Sequence, residues 1–499
     1  VSAARTPAGG RIDRSRVLRF RFDDTNLTGH PGDTLASALL ANGIHLAGRS
    51  FKYHRPRGIM AAGAEEPNAL VTVSRGGGRV TPNLRATQVE LYEGLVATSQ
   101  NRWPSLRRDA GAINDALPDG LLSAGFYYKT FMAPAGAWAG LYEPLIRRAA
   151  GLGTAPTLSD PDHYAHRYAF CDVLVVGAGA AGLAAALAAA RAGRRVILAD
   201  EQAELGGGLL AESALVDGMA AADWVARAVA ELAAAGVTLL PRTQAFGCYL
   251  QNFVGLAERV TDHQMVPHPA APRERLWKVR ASQVVLATGA IEQPLVFPDN
   301  DRPGIMLAGA ARSYALRWGV RPGTRAVVLA ACDSGHAAAI DLARAGVSIV
   351  AIVDLRAGGD GAGAAASRAA GLTVRGPAVI TGTSGRLRVS AVTVAPLRPD
   401  GGTGATETLA CDLVLMAGGF VPAVHLFSQA RGRLRFDAER ALYVPGDPVP
   451  GIHTTGACNG AFGIAAALSE GFAAGAAAAG TVAAEPAPAV TGEIVPRGS

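Results

Sequence analysis

Three glycines and an acid carry the clearest chemistry in this chain. Gly177, Gly179 and Gly182 stand in the order G-x-G-x-x-G, and Asp200 follows them. This is the dinucleotide-binding pattern, in which the acid falls about 20 residues past the glycines. In that pattern the first glycine makes a tight turn. The second lets the backbone approach a pyrophosphate, and the third lets a helix pack closely on its strand. An acid at the end of the next strand binds a ribose hydroxyl.

The flanking residues predict elements that would hold these groups in place. Val173–Val176 is a short apolar run, read as a buried parallel strand, and Leu183–Ala192 is an Ala-rich helix. The helix N-terminus would face the phosphates. Val196–Ala199 is the second strand and ends at Asp200. Strand, glycines, helix, strand and acid in one order make a far more specific signal than G-x-G-x-x-G alone. Further on, Gly206–Gly208 predicts a second glycine turn beside the ribose, and Gln283–Ala287 predicts a strand ending in Ala287-Thr288-Gly289.

Residues 326–353 repeat the βαβ pattern: strand Ala326–Leu329, helix Ala337–Ala345 and strand Ser348–Val353, ending at Asp354. Its loop Ala330–Gly335 lacks the phosphate-binding glycines, and Asp333 stands where amide donors are needed. We read this unit as a degenerate, empty nucleotide fold. Leu413–Ala417 predicts another strand, and Gly451–Gly471 a strand and loop feeding a final helix.

Residues 1–100 predict a separate β-grasp, ferredoxin-like domain. Its strands are Leu18–Phe22, one beginning at Leu27, Leu70–Val73 and Gln88–Tyr92, with a helix over Leu35–Ala41 capped by Asp33-Thr34. Loop Gly48–Gly63 lies where cluster-bearing members carry cysteines, and it has none. A [2Fe–2S] centre needs four ligands, so the cluster is ruled out here. The loop instead gathers Arg49, Lys52, His54 and Arg55 with Phe51 and Tyr53. Such a group suits a phosphate; it equally suits solvent or acids on a partner. Residues 101–165 are aromatic-rich, read as a packed connection between domains or a subunit contact.

The division expected is therefore 1–100, 101–165, a first dinucleotide domain over 166–320 and 410–480, a second over 321–409, and a tail over 481–499. The tail ends in Val495–Ser499, which resembles a protease-cleavage remnant. The chain has 499 residues, 49% hydrophobic and 18% charged, with a net charge of +6. That charge is mild for the length and does not argue for nucleic acid. No apolar run predicts a membrane span or a secretory signal. The five cysteines form no C-x-x-C and all lie beyond residue 170; a reducing, cytoplasmic setting is expected. His54 and His336 are isolated, and no general base or nucleophile stands out, so no catalytic residue and no metal site is assigned.

The chain resembles the two-dinucleotide-fold flavoproteins related to the pyridine nucleotide-disulfide oxidoreductases. The matching features are Gly177-x-Gly179-x-x-Gly182, Asp200, Ala287-Thr288-Gly289 and the Gly456–Gly460 turn. More closely it resembles the alpha subunits of heterotetrameric sarcosine oxidases. That likeness is carried by GRSFKYHRPRG from Gly48, EEPNAL from Glu65, SQNRWPSL from Ser99, GFYYKTFM from Gly125 and YEPLIRRAA from Tyr142.

The resemblance implies an α/β fold: a β-grasp start without a cluster, then a two-dinucleotide-domain body that binds NAD. It implies a beta subunit carrying FAD and the amine site, FMN at the alpha–beta interface, and small gamma and delta subunits. The substrate implied is a small secondary amine, oxidised by hydride transfer to flavin in the partner. A folate-binding domain would follow the body; the sequence reaches Ser499 without one. By the same resemblance Ala180 and Ala181 lie against the pyrophosphate, and Asp200, Glu201 and Gln202 surround the adenosine ribose. Gly207, Gly208 and Phe246 line the adenine side, with Thr288 and Gly289 at the neighbouring strand end. Ala457, Phe462 and Ile464 close the nicotinamide end, and Arg49, Lys52, His54 and Arg55 meet FMN phosphate and the beta subunit.

Two departures matter. No C-x4-C follows the first helix, so dithiol chemistry is not expected. Ala457 stands where FAD-binding relatives carry an acid, which favours NAD in this chain. The other readings are a free-standing NADH-dependent FAD reductase and a purely structural nucleotide-binding subunit.

Overall fold

The computed structural model describes residues 4–117, 133–134, 136–149, 151–357, 361–482 and 486–495. The N-terminal domain is a five-stranded sheet in the order Thr25–Gly29, Leu18–Phe22, Leu95–Ser99, Leu70–Ser74, Val80–Arg85. Leu18–Phe22 and Leu95–Ser99 run parallel, as a β-grasp requires. Helix Leu35–Ala41 starts at Thr34, whose side chain accepts from Ser37 N–H while Ser37 returns the bond. All seven helical residues are buried against the sheet.

The strand expected at Gln88–Tyr92 is not one. That stretch makes a single bridge from Glu90 to Thr34, and the strands flanking it are Val80–Arg85 and Leu95–Ser99. Its backbone is drawn to the helix start instead: Leu35 N–H donates to Val89 and Leu91 N–H to Asp33.

The first dinucleotide domain is built on parallel strands in the order Thr238–Leu240, Val196–Ala199, Tyr164–Val176, Glu274–Leu286, Ile452–Thr454. Helices Ala180–Arg191, Ala221–Ala234 and Ile464–Ala479 accompany it. Val173–Val176 is buried, as the apolar run predicts. Strands Thr243–Tyr249 and Phe253–Arg259 extend the sheet antiparallel along Glu274–Arg280.

The second dinucleotide domain has a parallel sheet in the order Ile305–Leu307, Leu413–Ala417, Arg325–Ala330, Ser348–Asp354, Val374–Arg375. Here the boundaries read from sequence move. Leu413–Ala417 was placed with the first domain, yet it pairs between Ile305–Leu307 and Arg325–Ala330. Helix Ala308–Trp318 likewise belongs to this second unit, joining its first two strands in chain order. An all-apolar strand gives no sign of which sheet it enters. A ribbon of Ala290–Glu292 and Phe420–Pro422 links the two domains.

The tail also departs from expectation. Val490–Thr491 pairs with Leu215–Val216, and the Glu493 carboxylate accepts the first amide of helix Ile464–Ala479. A helix start has unpaired N–H groups that a carboxylate satisfies. In the connecting segment, the aromatics Phe126, Tyr127, Tyr128 and Phe131 lie outside the described residues, whereas Trp103 and Trp138 are exposed.

One apolar core runs from the β-grasp sheet into the second dinucleotide domain, through Leu39, Leu95, Tyr314, Trp318 and Leu415. The Tyr314 hydroxyl donates to the Ala61 carbonyl across this boundary at 2.9 Å. The Arg242 guanidinium grips Glu90 with two bonds and ties the first domain to the β-grasp unit. The site between them is thus walled by all three units.

Candidate dinucleotide site

Gly177 leaves its strand with φ of +97°, and a Cβ there would stand 2.3 Å from the Ala287 carbonyl oxygen. A Cβ at Gly182 would meet the Gly177 oxygen at 1.8 Å. These two glycines let strand, turn and helix touch backbone to backbone. Gly179 differs. It caps helix Ala180–Arg191, and nothing lies within 4 Å of where its Cβ would be. The second glycine therefore opens the helix N-terminus to a ligand, which is the fit a pyrophosphate needs.

That opening faces a cavity of about 940 Å³. Gly177, Gly179, Asp200, Glu201, Gln202, Gly207, Gly208, Phe246, Thr288 and Gly289 all line it. Gly207 closes on Gly179, since a Cβ on it would sit 3.0 Å from the Gly179 Cα. Ala180, Ala181 and Gly182 form the first turn of the helix behind the opening, with Ala181 packed against Gly456.

Asp200 is used more fully than a lone ribose ligand. One of its oxygens accepts Ala178 N–H at 2.7 Å and the other accepts Gln202 N–H at 2.8 Å. It thereby fixes the phosphate turn and the ribose-side loop to each other. Burial pushes its carboxyl up, against the pull of those two amides. Burial also raises Glu201, and Asp200 beside it adds to the effect. Arg259 holds the Glu201 carbonyl at 2.9 Å, and Arg317 holds the Gln202 side chain.

The far wall holds residues the sequence reading missed. Ala62–Glu65 reach in from the β-grasp domain, with Glu292, Gly309, Ser313, Phe420 and His425 from the ribbon and second domain. Glu292 stands three residues past Gly289, so strand-end spacing was an available signal. The Ala62–Glu65 loop offered none. It is shaped by Glu66, 1% exposed, whose carboxylate accepts the amides of Met60, Ala61, Asn68 and Ala69 at 2.7 to 3.0 Å.

Three residues assigned to the nicotinamide end do not touch the cavity. Ala457 sits in the turn Gly456–Asn459. Phe462 packs on Phe420, ring centres 5.9 Å apart, and it is Phe420 that reaches the wall. Ile464 opens the final helix and packs into the core behind it.

The basic loop is also largely turned inward. Arg49 donates to the carbonyls of Leu106 and His54, and His54 Nδ1 lies 2.6 Å from Asp109. Arg55 pairs with Asp115, and Lys52 lies over the exposed side of Tyr53.

The second βαβ unit carries an ion-paired cluster at the start of its helix. Helix Asp333–Arg344 begins with Asp333, and Arg356 bridges Asp333 and Asp354, 2.8 Å from each. His336 is fully buried between Ser367 at 2.9 Å and Asp354 at 3.0 Å. Burial works against the Asp354 charge, but the bonds from His336 and Arg356 outweigh it and hold the carboxyl well below its usual range. Among the described residues no group of side chains has metal-site geometry, and no helix is long and apolar enough to cross a membrane.

Two dinucleotide folds, one carrying a glycine cradle, and a ribbon linking them define the two-dinucleotide-domain class of oxidoreductases. The chain belongs to the pyridine nucleotide-disulphide oxidoreductase family, whose model matches residues 171–465. Residues 15–102 match the 2Fe-2S iron-sulfur cluster binding domain, although no cysteine precedes Cys171 to ligate iron. Over 480 residues the chain is 51% identical to sarcosine oxidase subunit alpha of Rhizobium meliloti, covering 95% of this chain and 47% of that protein. It is 43% identical to the same subunit of a Corynebacterium strain, covering 96% and 45%. The chain thus spans about half the length of these relatives. The structure of L-proline dehydrogenase from P. horikoshii shares the fold, with a TM-score of 0.63 and 20% identity over 96% of this chain and 75% of that one.

Proposed function

We propose that this chain is the NAD-binding alpha subunit of a sarcosine-oxidase-like complex. The complex oxidises a small secondary amine, sarcosine or another N-substituted amino acid. The observation that carries this reading is the open Gly179 cradle leading to Asp200 and Glu201, in a chain 51% identical to a sarcosine oxidase alpha subunit. Carboxylates around the ribose suit a free 2′-hydroxyl and repel a 2′-phosphate, so NAD fits better than NADP.

When bound, NAD supplies a nicotinamide ring able to exchange a hydride. The chain's own part is to bind and orient. The Gly179 helix end receives the pyrophosphate, Asp200 braces the turn, Phe246 covers the mouth, and the Ala62–Glu65 loop narrows the far side. No residue on the cavity wall is assigned as the amine's base; in this reading amine oxidation takes place in a beta subunit carrying FAD, accompanied by gamma and delta subunits. FMN sits where alpha and beta meet, with Lys52 and Arg55 the outward cations of the basic loop.

The test is to denature the purified complex and identify its cofactors by mass spectrometry. NAD released from this chain, with FMN and FAD on a partner, is the result expected. FAD released from this chain alone would overturn the proposal in favour of an independent reductase.

A further inference from the structure

Two helix N-termini converge on the cavity. One, at Gly179, is open. The other, at the start of helix Ala308–Trp318, is already filled: both Glu292 carboxylate oxygens face Gly309 N–H, at 3.1 and 3.0 Å. Gly309 has to be glycine for this approach, since its Cβ would stand 2.7 Å from the carboxylate. A helix start is a place for phosphate, and the Glu292 side chain, seated on the Gly309 amide, occupies this one. A dinucleotide then has one orientation. Its pyrophosphate goes to Gly179 and its adenosine to Asp200–Gln202, while the remaining end runs toward Glu292, Phe420 and Thr288.

We propose that Glu292 recognises the oxidised nicotinamide ring, its carboxylate favouring the cationic ring of NAD+ over the neutral ring of NADH. This rests on the NAD reading above and assigns the far end of the same cavity. The charges facing Glu292 fit the role. Glu65 on the β-grasp loop is a second acid, and the Cys332 thiol lies behind on the turn before helix Asp333–Arg344. The ribbon partner Phe420–Pro422 carries no charge, and His425 follows it on the wall. Arg317, the guanidinium on the wall, is spent on Gln202 and Glu204.

With no cation acting on it among the described residues, burial and the Glu65 charge push the Glu292 carboxyl up to about 8, against the pull of Gly309 N–H. At neutral pH it is therefore mostly protonated in the free protein. NAD+ binding draws out that proton: the acid and NAD+ give the carboxylate–NAD+ pair and one H+ to solvent. NADH binding releases none.

The experiment is titration calorimetry of the full chain with NAD+ and with NADH at pH 6, 7 and 8, beside Glu292→Gln. Gln still accepts from Gly309, so the helix start is kept. The parent should bind NAD+ roughly 50-fold more tightly at pH 8 than at pH 6, the linkage expected for a group near 8 ionised by the ligand. NADH should show no such trend, and Glu292→Gln should flatten the NAD+ profile. Glu65→Gln is the second variant; it should move the NAD+ inflection to lower pH without abolishing it. Equal pH profiles for NAD+ and NADH, or an unchanged profile in Glu292→Gln, would overturn the assignment while leaving the NAD reading intact. Binding of neither nucleotide at any pH would overturn both.

Discussion

Gly471→Ala separates helix propensity from packing at the site. Gly471 and Gly475 lie one turn apart on the final helix, facing helix Ala180–Arg191, whose N-terminus forms the phosphate cradle. A Cβ at 471 would stand 2.3 Å from the Ala181 carbonyl oxygen, and one at 475 would stand 2.2 Å from that of Ala185. By propensity alone, alanine in a helix interior is better than glycine by about 0.5–1 kcal/mol. Overpacking costs about 1–3 kcal/mol. The upper end applies here, because the obstacle is backbone and no rotamer relieves it. The net expectation is a loss of about 2 kcal/mol. The two helices must also separate, which shifts Ala181 and the cradle beside it. Urea unfolding followed by tryptophan fluorescence reads the first effect, and nucleotide retained per chain after purification reads the second. An unfolding midpoint equal to or above the parent's, with full retention, would refute this account of the helix pair.

Two further perturbations probe the supports of the site. Glu66→Ala leaves four amides, two of them buried, without their acceptor and should cost about 3 kcal/mol, with faster hydrogen exchange confined first to residues 59–69. Asp354→Asn removes one of the two carboxylates that Arg356 bridges, and the charged partner of buried His336 Nε2, while Asp333 still holds Arg356; the expected loss is about 2 kcal/mol at neutral pH. The pH dependence has a definite sign. A carboxyl depressed on folding contributes fully above its ordinary value of about 4 and loses that contribution as pH falls through its folded value. Acid should therefore destabilise the parent more steeply than the Asn variant below about pH 4, which unfolding midpoints across pH 2 to 6 would measure.

Much of the local structure was legible because its signals are local. Gly177 and Gly182 declare backbone contacts that no side chain tolerates, Gly179 declares an open helix start, and the apolar run before them declares a buried strand. Thr34 and Ser37 declare a helix start. The absence of cysteine between residues 15 and 102 means that this stretch itself offers no thiolate to a cluster.

Other features were decided by tertiary structure. Leu413–Ala417 is apolar throughout, so its composition says that it is buried but not in which sheet. Arg49 and His54 read as free cations until Leu106 and Asp109, more than fifty residues away, are brought beside them. Phe462 and Ile464 are apolar at a turn, and only packing shows that Phe462 lies against Phe420, which reaches the wall, while Ile464 turns into the core. Glu292 was overlooked because an isolated acid in sequence carries no charge history; burial, Glu65 from another domain and the Gly309 amide give it one. Sequence by itself determined which backbone could bend, close and admit a phosphate, since those are steric properties of neighbouring residues. Which charges face one another across the cavity depended on three separate units meeting, because electrostatics acts through distance in space rather than along the chain.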